Sequence, residues 1–145
     1  MDKKEIFKVL SENPVFHLAT CDNVQPRVRG MLLFKADESG IVFSTGPGKD
    51  MYSQIMKNPK AEMCFQDTKN NVQIRVSGVL EEIKDRKYKE AMVNHPSRAF
   101  MKEWKKNFSN EDDFYANVTV FVLKQAKAVV WTFADNFKPK KEIEL

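Results

Sequence analysis

The sequence predicts a mainly β domain, closed as an antiparallel barrel. Three observations carry that prediction. Short runs of alternating apolar and polar residues recur at spacings of about 8–12 residues. Turn-forming residues separate them, as in Asp22-Asn23 and Asp37-Glu38-Ser39-Gly40. Residues 118–123 are apolar on both faces, which fits a barrel centre, a subunit interface, or both.

The elements follow in order. Residues 2–13 read as a helix, with Asp2 as cap, Glu5 three residues on, and Ile6, Val9 and Leu10 as one apolar stripe. Pro14 ends it by disfavouring the α conformation at Asn13. Strands are expected at 15–21, 25–35 and 41–44, forming a meander. In the first, Phe16, Leu18 and Thr20 share one face. Gly46-Pro47-Gly48 then leads into a short helix at 50–58, with Met51, Ile55 and Met56 as its inner face, and Pro59 closes it. Strands at 60–67 and 72–83 flank the polar turn Thr68-Lys69-Asn70-Asn71. Helices at 85–94 and 97–106 come next, the second carrying Phe100, Met101 and Trp104 at helical spacing, which reads as core or dimer packing. The last strands are expected at 115–123 and 127–133. The final ten or so residues, with Lys138-Pro139-Lys140-Lys141-Glu142, read as a frayed tail. No repeat or linker divides the chain, so residues 1–145 read as one domain.

Composition narrows the class. The chain has 145 residues, 42% of them hydrophobic, enough for a core without staples. Cys21 and Cys64 lie far apart, in neither a disulfide framework nor a zinc pattern, and read as free thiols in a reducing, cytoplasmic setting. The first ten residues hold no long apolar stretch, so a secretory leader is not expected, and no run is long enough for a membrane helix. The net charge of +4 is too mild to argue for nucleic acid.

Cations gather in two places. Arg27 and Arg29 are two apart on one strand, so they point to the same face, where an anion would relieve their repulsion. Ser44-Thr45-Gly46-Pro47-Gly48-Lys49 runs from a strand end through glycines to a helix start, an arrangement that offers backbone N–H groups and a cation to an anion. It lacks the spacing of a Walker A loop. A third feature is Gln73, which shares a strand face with Arg75 and Ser77 and can both donate to and accept from a heterocycle edge. Neither His17 nor His95 has a partner set for nucleophilic or metal chemistry.

Four stretches, taken in order, carry a family resemblance: Q-P-R-V-R-G-M-L-L-F-K, G-I-V-F-S-T-G-P-G-K-D-M-Y-S-Q-I, N-P-K-A-E-M-C-F and V-Q-I-R-V-S-G-V-L-E. They resemble the pyridoxamine 5′-phosphate oxidase-like family of split-barrel flavoproteins, over residues 5–83 and more loosely over the last strands. The resemblance implies a six-stranded split β-barrel, a homodimer, and FMN in the cleft between subunits. It implies that Arg29, Thr45 and Lys49 hold the phosphate, with Arg27 next, and that Ser44 lies along the flavin. It implies that Gln73 approaches from the other subunit and that Trp131 borders the ring. It further implies an oxidoreductase acting on a small molecule, reduced by a nicotinamide donor or a partner reductase.

The chain also departs from the oxidase pattern. Lys49 is followed by Asp50 and Met51 where the oxidase carries a further Arg-Lys pair, and no Arg-Leu-x-Pro-type tail is present. Both departures count against oxidation of pyridoxamine phosphate itself. They bring the chain closer to the family's short general-stress and nitroimidazole-resistance members. A flavin or haem carrier without turnover, with His17 or His95 as haem ligand, and a deazaflavin reductase of the same fold are the alternatives. A nucleic-acid-binding barrel is the third, disfavoured because no aromatic surface platform accompanies the charge.

Overall fold

Hairpin order fixes how the strands close. The computed structural model describes all 145 residues. The chain runs α1 (Lys3–Glu12), β1 (Val15–Asp22), β2 (Gln25–Asp37), β3 (Gly40–Thr45), α2 (Asp50–Lys57), β4 (Lys60–Asp67) and β5 (Val72–Ile83). It continues through α3 (Arg86–Val93), α4 (Ala99–Lys105), α5 (Glu111–Ala116), β6 (Thr119–Thr132) and β7 (Glu142–Glu144). All strand pairings are antiparallel, in the order β3-β2-β1-β4-β5-β6, and β3 pairs with β6 to close a six-stranded barrel. No helix is long and apolar enough to cross a membrane.

The start of the chain folds as its residues dictate. The Asp2 side chain accepts from the Glu5 N–H at 2.9 Å, and the Glu5 carboxylate accepts from the Asp2 N–H at 2.6 Å, a closed capping box. Ile6 and Leu10 then plug one end of the barrel core. Inside, Phe16 stacks on Phe65 with ring centroids 4.9 Å apart and meets Phe43 edge-on at 5.7 Å.

Two positions demand glycine. Gly40 turns β2 into β3 at φ 133°, a conformation that L side chains rarely adopt. Gly78 sits where β5 slips register against β6, and an added Cβ there would lie 2.6 Å from the Lys124 carbonyl oxygen.

The structure departs from the sequence pattern in several places. The predicted strands at 115–123 and 127–133 are one strand, β6, bent at Gln125, whose φ is 52°. Tyr115 belongs instead to α5, which Asn110 caps by accepting from the Asp113 N–H at 2.9 Å. The expected double burial of residues 118–123 is real, but this chain supplies both covers. Phe121 and Leu123 face the barrel core, whereas Val118, Val120 and Val122 pack under Met92, Met101, Phe114 and Tyr115 of the helical layer. Where a frayed tail is expected, Glu142–Glu144 forms a short strand on β6. Met56 is 49% exposed and not part of the inner face of α2.

One further feature positions the candidate site. β2 pairs with β1 from Gln25 onward, but with β3 only from Leu33. Residues 25–32 therefore keep one free edge, and the barrel is split there.

Candidate functional site

Arg27 and Arg29 stand on the free-edged half of β2, and α2 crosses beside it. Between them lies a cleft of about 850 Å³, lined by Arg27, Arg29, Gly30, Lys49, Asp50 and Gln54 among others. The Arg29 guanidinium is fixed. It donates to the Thr20 hydroxyl at 2.7 Å, to the Leu18 carbonyl at 3.1 Å and to the Gln54 side-chain oxygen at 2.9 Å. The Thr20 hydroxyl in turn donates to Gln54 at 2.7 Å. No carboxylate pairs with Arg29, and burial alone pulls its pKa below the ordinary value. Its charge is therefore oriented by neutral groups and left uncompensated. Arg27 differs: it is exposed and paired with Asp22 at 3.3 Å.

Lys49 occupies the N-cap position of α2 and makes no ion pair. Its side chain does not cap the helix, and no other side chain does, so the start of α2 has no side-chain acceptor and its dipole adds positive potential beside Lys49. Gly30 bares the backbone on the opposite side, where an added Cβ would meet nothing within 4 Å. Three cations outweigh the two carboxylates, Asp22 and Asp50, that share the cleft. This donor set fits a phosphate-bearing group: two free cations, one of them rigid, at an uncapped helix start.

The remaining predicted residues fall in two other places. Ser44 and Thr45 line a cavity of about 370 Å³ on the far side of the glycine loop, facing Phe100 and Trp104, with Lys49 on its rim too. The Thr45 hydroxyl oxygen is buried with no partner. Gln73 and Trp131 are register partners on β5 and β6 and share a third cavity of about 470 Å³. The Trp131 indole N–H donates to Asn136 at 2.8 Å. The single chain thus gathers Arg27, Arg29 and Lys49 in one cleft and Ser44, Thr45 and Lys49 beside it, while Gln73 and Trp131 line neither.

Sequence reasoning missed Thr20 and Gln54. Thr20 carried a signal, as a polar residue on the inward face of Phe16 and Leu18, where it is 3% exposed. Gln54 carried none, because only the packing of α2 over β1 brings it to Arg29. Neither histidine approaches the cleft. His17 lies opposite Cys64 on the outer sheet face, and His95 is held by Ser97 at 2.8 Å. No three His, Cys, Asp or Glu side chains cluster as metal ligands. The Cys64 thiol pKa is raised, mainly by burial.

Comparison with known proteins agrees with this fold. Residues 2–130 match the sequence profile of the family described as pyridoxamine 5′-phosphate oxidase. A pyridoxine/pyridoxamine 5′-phosphate oxidase of Brucella ovis is 33% identical over 88 residues, 60% of this chain but only 42% of that protein. Among solved structures, a NimC/NimA family protein of Clostridium acetobutylicum superposes with a TM-score of 0.75 at 24% identity, covering 98% of this chain and 92% of the other. A pyridoxamine 5′-phosphate oxidase-related, FMN-binding protein of Nostoc punctiforme gives 0.65 at 19% identity, covering 97% and 88%. At such identities these structures establish the split-barrel fold alone.

Proposed function

Because the chain belongs to the pyridoxamine 5′-phosphate oxidase family, we propose that it binds FMN and serves as an FMN-dependent oxidoreductase for a small molecule. A nicotinamide donor is its proposed source of electrons. The observation that carries this reading is the uncompensated pair of Arg29 and Lys49 at the uncapped start of α2. Arg29, locked by Thr20 and Gln54, would take the phosphate with Lys49 and the loop N–H groups. FMN would supply hydride and electron transfer, and the protein would supply position and charge.

The same reading makes the molecule a homodimer. Val15, Val28 and Leu32 lie on one outer face of β1 and β2 and are 64%, 68% and 38% exposed, the kind of apolar patch that marks an interface. A second copy seated there would bring its own Gln73 and Trp131 toward the flavin, which accounts for their distance from the cleft within one protomer. The two free thiols suit the cytoplasm, where we place the protein.

The test is to load the purified protein with FMN, desalt it and count flavin per chain. One FMN per chain is expected. Charge-assisted hydrogen bonds are worth about 1.5–3 kcal/mol each, so Arg29→Ala or Lys49→Ala should weaken FMN by about one to two decades. Unchanged affinity in both variants would put the phosphate elsewhere.

A further inference from the structure

His17 takes no part in the phosphate cleft, yet it stands in the middle of the apolar outer face. Across β2 its register partner is Gly30, with Val15 opposite Leu32 on one side of that pair and Ala19 opposite Val28 on the other. Across β4 its partner is Cys64. The imidazole is exposed in the single chain. β2 sets no titratable side chain on this face. β4 sets Cys64, whose thiol pKa burial raises, and Glu62, opposite Ala19. β5 adds Arg75, opposite Cys64, and Arg75 and Glu62 pair with each other at 3.3 Å. No free carboxylate on this face is therefore left to answer a positive imidazole. Gln73 precedes Arg75 by two residues and shares its side of β5. The apolar patch is thus continuous, through Cys64 and Arg75, with the residue assigned to the other copy's flavin.

From this placement we propose that His17 makes the pairing of two copies acid-sensitive: its neutral ring is enclosed between them, and its protonation drives them apart and releases the flavin. The inference rests on the homodimer reading above and adds its regulation. A two-fold interface meets its own copy, so each His17 is covered by the same apolar groups and the same Arg75–Glu62 pair. Enclosing an imidazolium there costs its hydration and returns no counter-charge. Imidazole is the side chain that changes charge between about pH 5 and 8. The dimer then binds fewer protons than two separate chains, so association weakens as pH falls.

The test is the dimer dissociation constant, measured by fluorescence-detected sedimentation on FMN-treated and flavin-free protein. Between about pH 7.5 and about pH 5.5 it should rise about a hundredfold in both, roughly tenfold for each of the two imidazoles. His17→Gln should remain dimeric and lose this dependence. His17→Lys, charged at both acidities, should be weakened already at neutral pH. The side chain is exposed in the single chain, so neither replacement threatens folding, and a melting curve for each variant checks this. An unchanged constant, including a dimer that persists at both acidities down to nanomolar chain, would overturn the proposal and leave the homodimer standing. Acid dissociation that survives in His17→Gln, or a His17→Lys dimer as tight as the natural one, would overturn it equally. A single chain at every acidity and concentration would sink the homodimer reading and this inference with it.

Discussion

At the scale of the residue, charge placed without a counter-ion decides the account. Arg27 and Arg29 were legible as a pair because strand alternation alone puts them on one face. Their inequality was not legible, since Asp22 answers Arg27 while only neutral groups hold Arg29. Asp50 sharpens the point, as its carboxylate lines the same cleft. Asp50→Asn should tighten FMN binding several-fold by removing a like charge. It should also slightly lower the melting temperature, because an acidic first-turn residue contributes about 0.3–1 kcal/mol to a helix. Titrating FMN into both proteins, with a melting curve for each, checks both effects. A second residue-scale prediction concerns acid. Asp67 accepts from the Asn70 side chain at 2.6 Å and the Asn70 N–H at 3.0 Å, and these bonds hold its pKa below the ordinary value. A depressed folded pKa contributes stability above the unfolded value, near 3.9, and loses it as pH falls through the folded one. Denaturant midpoints should therefore drop on acidification below about pH 4, and by less in Asp67→Asn. Arg98 completes the scale: it is 2% exposed, has no carboxylate partner, and makes one long bond of 3.4 Å to the Leu32 carbonyl. Arg98→Met, which fills the same space without charge, should hold or raise the melting temperature.

At the scale of the element, hairpins were readable and the long last strand was not. The meander β1–β3 and the pair β4–β5 follow from alternation and turn residues, which act locally. β6 looked like two strands because Lys124 and Gln125 interrupt its apolar run. Pairing with β5 on both sides of the interruption carries the strand through, at the expense of a left-handed Gln125 and a bulge at Gly78. That bulge has no room for a side chain, so Gly78→Ala should cost about 1–3 kcal/mol by overpacking, measured by denaturant melting. α5 was missed although Asn110-Glu111-Asp112-Asp113 is a helix-start sequence. The β-branched run that follows drew the reading into a strand. Phe114 of α5 is fully buried beneath the helical layer, so Phe114→Ala should cost about 3–5 kcal/mol. The same layer explains why doubly buried strand residues do not require a partner subunit: α3, α4 and α5 cover the outer face of β3 and β6.

At the scale of the molecule, the barrel closes through β3 and β6 yet stays open along β2, and that opening organises the proposed phosphate site and the proposed interface. It frees the strand edge carrying the arginines, leaves space beneath α2, and exposes Val28 and Leu32 beside the cleft. The barrel was legible from strand spacing. The split came only through the family resemblance, because it depends on where β3 stops pairing, which no local pattern records. If the apolar face joins two copies, the protein should run at twice 16.8 kDa by light scattering, and Val28→Glu with Leu32→Glu should return it to one. Flavin should then be lost along with the second copy's Gln73 and Trp131. The central claim, that this cleft recognises a phosphate carried on a flavin, is tested most directly by comparing FMN with riboflavin, which differs only in lacking that phosphate. With two free cations and an uncapped helix at the site, FMN should bind at least about a hundredfold more tightly, and Arg29→Ala should erase most of the difference. Equal affinities for the two would contradict the account.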